Sequence, residues 1–86
     1  MQLIHDWLTT ADVAALLDVS ASTVGQWCKR GWLEAEHVPG SPHNAWTIGA
    51  LDLWTFCERR PFYLARLGGG DPAKARAVMH QAAHLA

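Results

Sequence analysis

The stretch from Leu8 to Leu33, LTTADVAALLDVSASTVGQWCKRGWL, constrains this chain more than any other. Val13, Leu16 and Leu17 recur at i, i+3 and i+4, which is the apolar stripe of a helix. Thr9 and Thr10 suit its N-cap, and Thr9 with Asp12 resembles a capping box with Asp in place of Glu. Asp18-Val19-Ser20 breaks the pattern, with Val19 as an apolar plug in a tight turn. Ser20 can cap a second helix, whose inward face is Val24, Trp27 and Cys28. Gly31 stands where a left-handed C-terminal cap belongs.

The rest of the chain reads in shorter pieces. Trp32 to Val38 suits a strand, and Ala45 to Ile48 a second. Between them Pro39-Gly40-Ser41-Pro42-His43-Asn44 can only be a loop, because two prolines and a glycine cannot sustain a ladder. A third helix is expected from Ala50 to Arg59, ended by Pro61. Phe62 to Leu67 forms a short apolar turn or helix. Gly68-Gly69-Gly70 reads as a flexible linker, and Asp71-Pro72 starts a last helix. That helix carries Ala75, Val78, Met79, Ala82 and Leu85 or Ala86 on one face. The face either completes the core or meets a second copy, giving a homo-oligomer through the C-terminal helix.

Composition narrows the class. With 86 residues, 50% of them hydrophobic and five of them tryptophan, the chain can bury one modest core. The tryptophans are expected in the core or at its edge, with Trp27 and Trp46 the central ones. No apolar run approaches the ~20 residues of a membrane span, and the start lacks a signal-peptide pattern, so a cytoplasmic location without membrane partners is expected. Cys28 and Cys57 are not in a CxxC pair and read as buried thiols.

Net charge is −1, yet the charges are unevenly placed. Residues 1–58 hold two basic side chains against seven acidic ones. Residues 59–86 hold five basic against one. A basic tail along phosphates, an acidic head meeting a neighbour's tail, and plain solvated surface all fit this distribution.

The order of these blocks (LTTADVAALL, DVSASTVGQW, KRGWL and AWTI) resembles the winged helix-turn-helix domains of the MerR-like and phage excisionase type. The resemblance covers about Leu8 to Arg60. It implies a mainly α fold with a small two-stranded β wing, residues 1–67 as the winged domain and 68–86 as linker and C-terminal helix. It also implies sequence-selective binding of double-stranded DNA, with the second helix in the major groove and the wing beside it. An excisionase-like protein would bend and coat DNA cooperatively beside an integrase or other recombinase. A small transcriptional regulator would use the same contacts. Ala21, Gly25 and Thr47 stand where relatives commonly carry basic or bulky residues, so three phosphate contacts are absent or moved. A protein-interaction module that kept the fold without DNA binding is the third reading.

Candidate DNA contacts follow from the chemistry. Ser20, Ser22 and Thr23 can bond phosphate or a base edge, and Gln26 can pair in bidentate fashion with adenine. Gly25 costs about 1 kcal/mol in mid-helix relative to Ala, either to permit close approach or as a tolerated residue. Lys29 and Arg30 can meet phosphates or compensate the helix dipole. At the loop tip His43 and Asn44 replace the expected arginine, and a histidine near phosphate would gain charge below about pH 6.5. No catalytic constellation stands out, so no enzyme activity or cofactor is expected. His80 and His84 have a zinc-compatible spacing without the further ligands a site needs.

Overall fold

The computed structural model describes residues 7–37 and 45–84. A short strand β1 (Trp7–Leu8) leads into helix α1 (Thr10–Leu17), and a three-residue turn leads to α2 (Ala21–Lys29). Strands β2 (Glu36–His37) and β3 (Trp46–Gly49) follow, then α3 (Ala50–Glu58), α4 (Pro61–Arg66), a 3-10 turn at Gly68–Gly70 and α5 (Pro72–His84). The expected mainly helical fold with a wing and a C-terminal helix is present.

Among the described residues, the starts of four of the five helices have a local cause. The Thr9 side chain accepts a hydrogen bond from the Asp12 N–H at 3.1 Å. The Asp12 carboxylate accepts one from the Thr9 N–H at 3.0 Å. This closes the capping box over α1 and satisfies two otherwise orphan donors. Ser20 does the same for α2, accepting from the Thr23 N–H at 3.1 Å. Pro61 and Pro72 open α4 and α5, where a missing N–H costs nothing.

The sheet differs from the expectation in two respects. β3 is its middle strand, and the order is β1-β3-β2. Trp7 pairs with Gly49 and Leu8 with Ile48, while Glu36 pairs with Thr47 and His37 with Trp46, all antiparallel. The two-stranded wing thus gains a third strand from the residues just before α1. Within the described residues the strand expected from Trp32 to Val38 covers only Glu36–His37, because Gly31, at φ 77°, turns the chain and residues 31–33 form a turn and bends; Val38 lies outside the described residues.

One core unites all of this. Val13, Leu17, Val24, Leu33, Ile48, Leu53, Cys57, Leu67, Ala75 and Met79 are each essentially sealed from solvent. α5 lies against α1, α3 and β1, so its apolar face packs inside the chain. Ala75 and Met79 are fully buried and Ala82 is packed against the core. Leu85 and Ala86 lie outside the described residues, as does the side chain of His84. The expected linker is a tight left-handed turn: Gly68, Gly69 and Gly70 all have positive φ. A Cβ on Gly68 would stand 2.5 Å from the Ala75 backbone nitrogen.

The tryptophans divide. Trp27 is buried, tilted against Phe56 and edge-on to Tyr63, with ring centroids 4.8 and 5.2 Å away. Trp46 and Trp54 are half-buried against the core. Trp7 and Trp32 are 49% and 53% exposed, contrary to the expectation of a core or core-edge place. Both Cys28 and Cys57 are buried free thiols. Burial pushes both thiols up, Cys57 to about 12 against the weaker opposing charge of Arg60.

Candidate nucleic-acid interface

The turn between α1 and α2 sets where α2 points. Asp18 ends α1 in the left-handed region at φ 56°, an uncommon place for a residue other than glycine. Its N–H bonds the Ala14 carbonyl, and the Val19 N–H bonds the same carbonyl at 3.0 Å. A side chain from far along the chain completes this end. The Arg66 guanidinium donates to the Leu17 carbonyl at 2.7 Å and to the Asp18 carbonyl at 3.3 Å. It also lies 3.9 Å from the Asp18 carboxylate and 4.3 Å from the Phe62 ring centroid. Carbonyls left over at a helix end are thus satisfied by α4.

Beyond the turn, α2 presents one open face. Ala21, Ser22, Gly25, Gln26 and Lys29 line a groove of about 430 Å³, with Thr10 from the start of α1 and Ala45 and Trp46 at the wing. Ser22, Gln26 and Lys29 are exposed. Nothing lies within 4 Å of where a Gly25 Cβ would be. The groove floor at Gly25 is therefore bare backbone, flanked by an amide, an ammonium and a hydroxyl.

The expected contacts do not all fall together. Ser22, Gly25, Gln26 and Lys29 share the groove. Ser20 and Thr23 are committed to the cap, with their hydroxyls 2.9 Å apart. Arg30 ends the helix outside the groove, its guanidinium 5.2 Å from the Trp32 ring centroid. His43 and Asn44 lie outside the described residues. Thr10 and Trp46 belong to the groove although neither was expected there. Trp46 shares a strand face with the buried Ile48 but sits one pair further out, where His37 meets it edge-on at 5.1 Å. The alternation of the strand indicated its side but not that the core ends before it.

Residues 7–48 match the helix-turn-helix domain family. The match runs from β1 to the buried Ile48 and leaves α3, α4 and α5 outside it. No curated protein and no solved structure matches the chain. Within the matched segment α2 is the second helix, and its open face carries the polar groups described above. Among the described residues no helix is long and apolar enough to cross a membrane.

Proposed function

We propose that this helix-turn-helix binds double-stranded DNA by seating the outer face of α2 in the major groove. The observation that carries the reading is the open face itself, with Ser22, Gln26 and Lys29 surrounding the bare backbone of Gly25. A B-DNA major groove is about 12 Å wide and admits one helix. Gln26 has the donor and acceptor pair that adenine presents there, and Lys29 can neutralise a phosphate. The start of α2, with no acidic residue in its first turn, favours an anion. Arg30, at the C-cap of α2 against Trp32, would meet the backbone rather than base edges.

At finer grain we read the role as excisionase-like, with the protein bending and coating DNA beside a recombinase. The support is the order of sequence blocks from Leu8 to Arg60. A MerR-like transcriptional regulator would share the α2 contacts and differ in copy number on DNA.

Fluorescence anisotropy of a labelled duplex tests the main claim. Affinity is expected to fall log-linearly with salt. Gln26→Ala should weaken a selected site more than random duplex, and Lys29→Ala should weaken both. Absence of binding at low salt overturns the reading. Sizing of the complex separates the finer roles: stepwise growth along the duplex supports a coat, and one or two copies support a regulator.

A further inference from the structure

A second concavity, larger than the α2 groove at about 580 Å³, lies between the turn after α2 and helix α3. It shares no lining residue with the α2 groove. Asp52, Thr55 and Phe56 of α3 and Arg59 at its C-cap stand at i, i+3, i+4 and i+7, so they form one stripe along two turns, with Arg60 just beyond it. Asp52 and Arg59 are about 10 Å apart along the axis at 1.5 Å per residue. Trp32 and Glu34 stand on the opposite wall.

The charges on this face are unmet. Among the described residues the ion pair within 4.0 Å is that of Arg66 with Asp18, so Glu34, Asp52 and Arg59 have none. Burial and the nearby Glu34 charge push the Asp52 carboxyl up. Large apolar groups rim the same face. Trp32 and Leu51 are about half exposed, and so is Trp7, whose ring reaches to within 3.8 Å of a Gly49 Cβ position, beside Asp52. Exposed tryptophan and arginine grouped together are the composition of an interface core.

The order of charge selects the occupant. Along the cavity-lining stripe the negative Asp52 comes first and the positive Arg59 and Arg60 last, with the small, exposed Thr55 between them; Glu58, the other acidic residue of α3, is exposed and does not line the cavity. A second α3 running antiparallel presents the reverse order. Each Asp52 then faces Arg59 of the other copy, as a twofold contact requires. We propose that the α3 face bearing Asp52, Thr55 and Arg59 is a homodimer interface, with two copies antiparallel about a twofold axis at Thr55. This goes beyond DNA binding and does not depend on it. The α2 groove stays open in each copy, and such a dimer would carry two reading helices to a twofold-symmetric site.

Sedimentation equilibrium of the whole chain without DNA tests the interface. Wild type is expected to pass from one chain of 9.5 kDa to two as concentration rises. Asp52→Arg alone and Arg59→Asp alone each set like charges together and should weaken dimerisation by ~10-fold or more. The double variant restores both pairs with inverted signs and should recover the dimer. Thr55→Arg, on an exposed position, should give a monomer whose circular dichroism melt matches wild type. Wild type that stays monomeric, single variants that dimerise normally, or a folded Thr55→Arg that dimerises would each overturn the proposal.

Discussion

Gly25 spends helix stability where no packing demands it. Nothing crowds its missing side chain, so Gly25→Ala should raise stability by about 1 kcal/mol in urea unfolding. The same methyl group would stand on the groove floor, so DNA affinity should fall several-fold. A stability gain with unchanged affinity would mean that DNA does not approach that backbone. Gly68 poses the opposite case. Its φ of +71° and the Ala75 backbone 2.5 Å from a Cβ should make Gly68→Ala cost more than about 2 kcal/mol. Gly69→Ala, with positive φ but open space, should cost ~1 kcal/mol by the same measurement.

Among elements, α1 and α2 owe their starts to neighbours in sequence, while a distant arginine bonds the carbonyls at the turn between them. Ser20→Ala removes the α2 cap and should cost about 1 kcal/mol. Arg66→Ala leaves the carbonyls of Leu17 and Asp18 without their protein donor and should cost a similar ~1 kcal/mol in thermal or urea melts. If Arg66 acts by holding the turn and touches no phosphate, that variant will lower DNA affinity without changing the salt slope.

The contrast between these two residues explains what could be read beforehand. Caps, helix faces and the Gly31 stop depend on residues within four positions, and their patterns were legible. The pairing of Trp7–Leu8 with β3 and the bond from Arg66 to Leu17 close loops of about forty residues or more, for which periodicity carries no signal. The α2 groove was legible in Ser22, Gly25, Gln26 and Lys29, which follow helical spacing. Thr10 and Trp46 were not, since tertiary packing alone brings three elements to one rim. Trp7 and Trp32 read as core because large apolar groups usually are, yet both stand about half exposed, Trp32 with the Arg30 guanidinium against its ring.

At the scale of the whole molecule, the core ties the helix-turn-helix to the helices after it. Trp27 belongs to α2, yet its ring partners Phe56 and Tyr63 come from α3 and α4. Trp27→Ala should therefore cost ~3–5 kcal/mol and leave little cooperative unfolding. The buried thiols add a pH dependence. In the unfolded chain Cys57 releases its proton near its ordinary value of 9.0, whereas the fold holds it to about 12. The native state then binds more protons in that window, so stability should decline as pH rises above about 9. A chemical-denaturation series from neutral to alkaline pH would reveal it, and a flat profile would contradict the burial of that thiol.

The sealed side chains Leu53, Cys57, Leu67, Ala75 and Met79 all follow the matched segment. The matched segment is consequently not a portable cassette. Cut out at residues 7–48 and grafted elsewhere, it would arrive with its hydrophobic underside bare and without the guanidinium that holds its turn. Any exchange of DNA specificity between proteins built this way would have to proceed by repainting the surface of α2 in place, not by transplanting the motif.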